Sequence, residues 1–194
     1  MKFRARRTLV CSLLGLALIA PISGQESAVP VGLQFDLMMK VLTFDRSLRN
    51  RVGDELVIGV VCQKDVRESQ VAKDVLLAAA RAPGASPWPD LPVRAVALEI
   101  GSPAELDARL GREGIDIVYL ASLRAVDIKA VVAVCQARKI LSFTGVPADL
   151  EAGASVGFDL REDRPVIIIN LAGARRAGAD FSSKLLRLIR VVGD

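Results

Sequence analysis

The residue types that carry out most protein chemistry are scarce in this chain, and their spacing matches no common catalytic motif. The 194 residues contain no histidine, which excludes Ser-His-Asp and Cys-His nucleophile systems and removes most metal sites. No Gly-x-Gly-x-x-Gly or Walker loop follows any predicted strand, so a nucleotide cofactor is unsupported. We therefore expect no catalytic residue, no metal and no cofactor.

Polar residues do follow four predicted strands, and the carboxyl ends of strands are where an open parallel sheet binds ligands. These ends are Cys62-Gln63-Lys64-Asp65, Gly101-Ser102, Ala121-Ser122 and Thr144-Gly145. A phosphate-receiver domain would need an aspartate at the end of the third strand, where Ala121-Ser122 stands instead. Helix capping alone accounts for Ser102 and Asp65.

The N-terminal segment, residues 1–24, has the pattern of a secretory signal peptide. Four basic residues (Lys2, Arg4, Arg6 and Arg7) precede the apolar run Thr8–Ala20, which is shorter than the roughly twenty residues of a membrane anchor. We predict cleavage after Gly24, a short linker at 25–31, and a periplasmic location for the mature chain.

Export changes the charge balance of the protein. Without the four basic residues of the leader, 22 of the 26 Lys and Arg residues remain against 22 Asp and Glu residues. The mature chain therefore has no net charge, and nucleic-acid binding loses the basic surface on which it depends.

Cys62 and Cys135 are the cysteines of the predicted mature chain, and an even count in an exported protein suggests a disulfide. The predicted fold opposes this pairing, because it places the two residues at opposite edges of the sheet. A disulfide needs Cα atoms within roughly 4.4–6.8 Å of each other. We predict two unpaired, buried thiols.

Apolar periodicity predicts one domain over residues 32–194, in which helices alternate with buried strands. The predicted helices are Gly32–Leu48, a helix capped by Asp65 and Glu68 that turns Val71, Val75 and Leu76 inward, a helix capped by Ser102, and Arg124–Arg138. The predicted strands are Leu56–Val61, Val93–Ile100, Ile115–Ala121 and Ile140–Thr144. The proline-rich stretch Ala82–Pro92, which contains Trp88, is predicted as a loop.

The C-terminal residues predict a different local structure. Strands Ser155–Leu160 and Val166–Asn170 flank the polar turn Arg161–Pro165 and form a hairpin. Asn170, Gly178 and Ser182 are expected to be an N-cap, a left-handed stop and a second N-cap. A final amphipathic helix from Ser183 would place Leu185, Leu188, Ile189 and Val192 on one face and Lys184, Arg187 and Arg190 on another.

These elements define the fold class. We predict a single three-layer α/β domain whose mostly parallel sheet is built from right-handed βαβ units. An antiparallel C-terminal hairpin and a C-terminal helix complete it.

The segments Ile169–Gly178 and Phe181–Leu188 closely resemble the C-terminal signature of the YfiR family of periplasmic proteins. The signature residues in this sequence are Asn170, Arg175, Gly178, Ser182, Ser183 and Leu185. The segments Lys40–Asp45, Val57–Val61 and Asp116–Leu120 resemble the family more weakly. The resemblance implies a small exported α/β domain without known catalysis, which restrains an inner-membrane diguanylate cyclase by binding its periplasmic part.

Three functions remain open at this point. The first is a non-enzymatic periplasmic regulator that binds a membrane signalling protein, with Met38, Met39 and Phe44 of the N-terminal helix as the contact residues. The second is a small-ligand-binding domain that uses the carboxyl edge of the sheet and stacks its ligand on Trp88. The third is an enzyme based on Cys62, which lacks both histidine and a Cys-x-x-Cys motif. A homodimer is also open.

Overall fold

The computed structural model of the chain describes residues 29–124 and 126–193, so the predicted signal peptide lies outside the described residues. The helices are α1 (Val31–Leu42), α2 (Leu48–Arg51), α3 (Arg67–Arg81), α4 (Pro103–Glu113), α5 (Ile128–Ala137), α6 (Leu171–Arg176) and α7 (Ser183–Leu186). The strands are β1 (Leu56–Cys62), β2 (Val93–Glu99), β3 (Ile117–Leu120), β4 (Leu141–Thr144), β5 (Val156–Arg161), β6 (Arg164–Asn170) and β7 (Arg190–Val192). A short 3₁₀ helix, Pro147–Leu150, precedes β5.

The seven strands form one sheet in the order β2-β1-β3-β4-β5-β6-β7. Strands β1 to β5 are parallel, β6 is antiparallel to β5, and β7 is parallel to β6. The predicted α/β class, with a mostly parallel sheet and an antiparallel C-terminal hairpin, is confirmed.

The interior strand β1 shows why the sheet has a core on each face. All seven of its residues are buried, and successive side chains point to opposite faces. Leu56, Ile58 and Val60 join the core on the side of α1 and α3. Val57 and Val61 join the core beneath α4 and α5.

The two faces of the sheet are covered to different extents. On the first face, buried residues of β1, β3, β4, β5 and β6 join one core. Phe181 and Leu185, which follow the hairpin in sequence, belong to the same core. On the second face, the core beneath α4 and α5 contains residues of β1, β2 and β3 but none of β5, β6 or β7. The C-terminal strands therefore take no part in the second core, and on that face the 3₁₀ helix packs on β5, with Leu150 beside Gly157.

The start of α4 is formed as its sequence predicts. The Ser102 hydroxyl accepts a hydrogen bond from the Glu105 N–H at 3.3 Å, and the Glu105 carboxylate accepts one from the Gly101 N–H at 2.9 Å. Gly114 ends the helix at φ +61°, in the left-handed region that glycine tolerates best.

The N-terminal helix is shorter than predicted, because α1 ends at Leu42 and not at Leu48. The Thr43 hydroxyl donates to the Lys40 carbonyl at 2.7 Å. The Asp45 carboxylate then accepts from the Ser47 and Asp180 N–H groups, each at 3.0 Å. These bonds turn the chain toward the C-terminal segment. Val31, assigned to the linker, is the first helical residue.

Two further helix starts were predicted wrongly. Helix α3 begins at Arg67 after Val66 without a side-chain cap, so Asp65 and Glu68 form no capping box. Its buried residues are Ser69, Ala72, Leu76 and Ala80, whereas Val71 is 52% exposed and Val75 is half-buried. Helix α5 begins at Ile128, where the Asp127 carboxylate accepts from the Lys129 N–H, four residues later than predicted.

The hairpin turn is tighter than predicted. Pro165 lies within β6 and pairs with Leu160, so the turn consists of Glu162 and Asp163 at φ +49° and +58°. Two consecutive positive φ angles match the right-handed twist of the adjoining strands.

The C-terminal helix covers only Ser183–Leu186, and β7 replaces the second half of the predicted helix. The β-branched residues Ile189, Val191 and Val192 favour an extended chain, and β6 offers an edge with which they can pair. Lys184, Arg187 and Arg190 therefore do not form one helical stripe, because Arg190 lies in a strand.

The two described cysteines lie in different cores. Cys62 belongs to the core beneath α1 and α3, and Cys135 to the core beneath α4 and α5. Both are free thiols, and the sheet stands between them.

Candidate functional site

A cavity of about 490 Å³ opens at the carboxyl edge of the sheet, beside the ends of β3 and β4. Open parallel sheets bind ligands outside the carboxyl ends of their strands, and this cavity lies in that position. No residue of β1 lines it, so it does not coincide with the point between β1 and β3 where the strand order reverses. The apolar lining of the cavity consists of Val31, Val71, Ala72, Leu120 and Val146. Its polar lining consists of Arg67, Glu68, Tyr119 and Ser122.

Tyr119 anchors the first turn of α1 to the floor of this cavity. Its hydroxyl donates to the side-chain Oε1 of Gln34 at 2.5 Å, and the side-chain Nε2 of Gln34 donates to the Val29 main-chain carbonyl at 2.6 Å. Burial raises the pKa of Tyr119 well above its usual range. The phenol is therefore neutral and structural, and it cannot serve as a base.

Ser69 ties α3 to the ends of two strands beside the same cavity. Its hydroxyl accepts from the Gln63 N–H at 3.0 Å and donates to the Ala121 carbonyl at 3.2 Å. The Gln63 side chain accepts from the Arg124 N–H at 2.7 Å. The carboxyl edge is thus fixed by side-chain bonds that no sequence motif revealed.

The charged groups at the rim are of opposite sign. Glu68 lies 3.4 Å from Arg124 in an exposed ion pair, which contributes little to stability. Arg67 forms no ion pair with any residue of 29–124 or 126–193. The rim can therefore offer one guanidinium to a ligand.

The carboxyl edge is divided into two depressions. Ser122 and Gly145 meet at the first cavity. Gln63, Lys64 and Asp65 face Gly101 across a separate depression of about 440 Å³. The four strand ends that the sequence placed at one edge thus do not form a single site.

The thiols are poor nucleophiles. Burial raises the pKa of Cys62 to about 11, and the nearby Glu99 carboxylate adds to this shift. Burial also raises the pKa of Cys135 to about 12. A protonated, buried thiol reacts slowly, which weighs against the enzyme based on Cys62.

Trp88 does not line the cavity at the carboxyl edge. It lies half-buried in the loop between α3 and β2 and packs against the core. The Arg49 guanidinium carbon stands 5.9 Å from the centre of its ring in a cation–π contact. The ring face on which a ligand was expected to stack is thus in contact with Arg49 of the protein itself.

The three residues predicted to contact a partner differ in exposure. Met38 is fully buried and Met39 is 4% exposed, so both methionines belong to the core. They exceed a single helical stripe because α1 is covered by the sheet and also by neighbouring segments. Phe44 is half-buried and packs against the same core, and a partner contact through it stays a prediction.

Asn170 is the junction of the C-terminal signature. Its side-chain oxygen accepts from the Gly173 N–H at 2.9 Å, which caps α6 as predicted. Its amide nitrogen donates to the Leu150 carbonyl at 3.0 Å, which joins β6 to the 3₁₀ helix before β5. The residue is 8% exposed, and both ends of its amide are satisfied.

The other signature residues have unequal roles. Gly178 has φ +81° and ends α6 as predicted. Leu185 is buried in the core, while Arg175 and Ser183 are exposed. Ser182 precedes α7, but its hydroxyl caps nothing and has no hydrogen-bond partner within the described part of the chain.

Asp45 is a structural centre that the sequence analysis missed. Its buried carboxylate forms an ion pair with Arg51 and accepts from the Ser47 hydroxyl at 2.8 Å and from the Asp180 N–H at 3.0 Å. Asp180 in turn pairs with Arg46 at 2.7 Å. The contacts of Asp45 and Arg46 with Asp180 join residues 135 and 134 positions apart, so local spacing could not reveal them.

The described residues contain no group of three or more Cys, Asp or Glu side chains that could hold a metal ion. Nor does any helix of residues 29–124 and 126–193 have the length and apolar character needed to cross a membrane.

Comparison with known families identifies the chain. Residues 85–190 match the model of the YfiR/HmsC-like family, and this protein belongs to that family. Membership supports a regulatory role and a periplasmic location. No curated protein sequence matches the chain.

Three solved structures share the fold at low sequence identity. One is the ABC domain from Streptococcus pneumonia solved with L-Trp, with a TM-score of 0.61, 14% identity and 84% of this chain covered. A conserved domain protein from Vibrio cholerae O1 biovar eltor has a TM-score of 0.56, 15% identity and 84% coverage. The ligand-free, open form of CD0873, a substrate binding protein with adhesive properties from Clostridium difficile, has a TM-score of 0.52, 16% identity and 75% coverage.

The chain spans 62%, 60% and 57% of the lengths of these three structures. The likeness therefore concerns the fold of one α/β unit within longer proteins.

Proposed function

We propose that this protein is a non-enzymatic periplasmic regulator that restrains a membrane signalling protein, an inner-membrane diguanylate cyclase, by binding its periplasmic part. The observation that carries this proposal is membership of the YfiR/HmsC-like family. Buried thiols with raised pKa values favour binding over covalent chemistry.

The partner contact that we propose includes Phe44, Arg46, Lys184, Arg187 and Leu188, here called the C-terminal contact surface. The Phe44 carbonyl accepts from the Ser182 N–H at 3.0 Å, so the end of α1 lies beside the start of α7. Leu188 is 73% exposed, and basic side chains precede it. An exposed apolar residue with a charged rim is a common arrangement in protein interfaces.

Deletion of the gene should raise the cyclic-di-GMP level in the native host, and the wild-type gene should return it to the original level. A gene that encodes Leu188→Glu should leave the level high, because a carboxylate would replace the exposed apolar contact. Val71→Glu is the matched control, since Val71 is also an exposed apolar residue but lies at the carboxyl-edge cavity. Circular dichroism should show both variants folded.

Unchanged cyclic-di-GMP on deletion, together with no membrane protein recovered by crosslinking, would contradict the regulator proposal. Equal loss of function in both variants would be compatible with the regulator proposal but would contradict the proposed C-terminal contact surface.

A second function, binding of a small ligand, is favoured by the cavity of about 490 Å³ at the carboxyl edge of the sheet. Native mass spectrometry of the exported protein should then show a bound small molecule. Ser122→Phe, which fills the cavity from its polar side, should remove that mass. An unliganded wild-type protein, purified gently from its host, would count against this function.

A further inference from the structure

The two edges of the sheet are unequally exposed to an approaching strand. Strand β7 has three residues, whereas β2 has seven and pairs with β1 alone. An edge strand presents a row of main-chain donors and acceptors that a second strand can use, and very short edges limit this risk. The long edge, β2, is therefore the one that needs protection.

Two hydrogen bonds fix which groups of β2 point outward. The Pro92 carbonyl accepts from β1 at 2.9 Å, and the Ile100 N–H donates to β1 at 3.0 Å. Main-chain groups alternate in direction along a strand. The residues whose N–H and C=O groups point away from the sheet are Val93, Ala95, Ala97 and Glu99.

Arg109 of α4 covers the second half of this edge. Its Nη2 donates to the Ala97 carbonyl at 2.9 Å, and its Nη1 donates to the Glu99 carbonyl at 3.1 Å. The Glu113 carboxylate, one turn later, lies 3.5 Å from the same guanidinium. The planar fork of arginine suits two acceptors at once, and here it spans the outward carbonyls of alternate residues.

We propose that β2 is a self-pairing edge, complementary to the same strand of a second copy of this chain, and that the Arg109 guanidinium holds it closed. In an antiparallel pair centred on Ala95, Ala95 faces Ala95 of the second copy and Val93 faces Ala97. The Ala97 carbonyl would accept from the N–H of Val93 of the second copy. Arg109 occupies that acceptor and the space beside it.

A second copy is the occupant that the sequence of β2 fits. One edge pairing with itself about a twofold axis closes without further partners. In this register Arg94 faces Val96, so no like charges oppose each other. The side chains at positions 93, 95 and 97 are half-buried Val and Ala, and they do not obstruct a neighbouring strand.

The test compares Arg109→Met with Arg112→Met in protein produced from the full-length gene and exported normally. Arg112 lies in the same helix, is exposed, and makes no bond to β2. Sedimentation velocity should show that Arg109→Met, and not Arg112→Met, forms a species of twice the mass of the wild-type protein. Two recovered hydrogen bonds per dimer should tighten self-association about tenfold or more.

Two further variants separate edge pairing from misfolding. Ala95→Pro removes an outward N–H and no bond to β1, so Arg109→Met with Ala95→Pro should return to the wild-type state. Arg109→Lys keeps the charge and the stem but loses the fork, and should associate less than Arg109→Met. Identical sedimentation of the Arg109→Met and Arg112→Met variants, or association that survives Ala95→Pro, would overturn the proposal.

Discussion

The parallel half of the sheet, β1 to β4, and the C-terminal half, β5 to β7, are stabilised in different ways. Apolar side chains cover both faces of the first half, and helices pack on each face. The second half contributes to the core on one face only, and on its other face the 3₁₀ helix packs on β5. Polar bonds between distant residues join this half to the rest. Both halves contribute to the first core, but only the parallel half also contributes to the second core. Hydrogen bonds at its borders therefore matter more for the C-terminal half.

The polar bonds of the second half lie at its borders. The Ser142 and Ser155 hydroxyls, both buried, lie 3.3 Å apart where β4 meets the start of β5. Asn170 joins β6 to the 3₁₀ helix. A buried polar group that loses its partner costs more than the net value of its bond, so each of these contacts is sensitive to substitution.

The largest effect is expected from truncation in the apolar half. Ile58 of β1 is fully buried, and Ile58→Ala should lower the free energy of unfolding by about 4 kcal/mol, since it removes buried methyl groups and leaves a cavity. Ile58→Val should cost about 1 kcal/mol. Urea unfolding at 25 °C measures both, and equal costs would show that the residues around β1 can collapse into the cavity.

Asn170→Ala should lower the free energy of unfolding by about 2 kcal/mol. It removes the cap of α6 and one of the two hydrogen bonds that the Leu150 carbonyl accepts, the other coming from the Gly153 N–H at 3.0 Å. Ser102→Ala removes a more exposed cap in the parallel half and should cost about 1 kcal/mol. The difference between the two, measured by urea unfolding, isolates the second bond of Asn170. Equal costs would mean that water replaces that bond.

A smaller gain is expected at the hairpin turn. Replacing Glu162 and Asp163 with Asn and Gly should raise the free energy of unfolding by about 0.5–1 kcal/mol, because both positions have positive φ and Asn-Gly adopts such turns readily. Thermal unfolding measures the gain. A loss of stability would show that the charged side chains contribute to the hairpin.

The smallest effect concerns Asp149, in the 3₁₀ helix between the two halves. Burial raises the pKa of Asp149, and the hydrogen bond from the Thr144 hydroxyl, 2.7 Å long, partly offsets the shift. The folded state thus binds this proton more tightly than the unfolded state. The stability that this group contributes is therefore full below the ordinary pKa of the unfolded state, and it is lost as pH rises through the raised pKa of the folded state.

Asp149→Asn removes that titration while keeping an acceptor for Thr144. Acidification from about pH 7 to about pH 4 should stabilise the wild type relative to the variant, as measured by urea unfolding at each pH. A constant difference between the two proteins across this range would show that the carboxyl titrates as it does in the unfolded chain.

The same comparison explains what the sequence could predict. The β1 run and the Ser102 cap are local patterns, and the alternation of strands with helices and the start of α4 followed from such patterns. The C-terminal helix was overextended because Leu185, Leu188 and Ile189 fit a helical stripe, while the pairing of β7 with β6 is a tertiary preference. The contacts of Asp45 with Arg51 and Asp180, and of Tyr119 with Gln34, join residues whose separation no periodicity encodes.

The position of β1 also sets the smallest piece of this chain that can fold. The family match begins at residue 85, but β1 lies between β2 and β3 and contributes to both cores. A fragment cut at the limits of the match would lose this strand, and β2 would have no neighbour with which to pair. The stretch of sequence that identifies the family is thus shorter than the stretch that forms its domain, and a protein cut for study should retain α1 and β1.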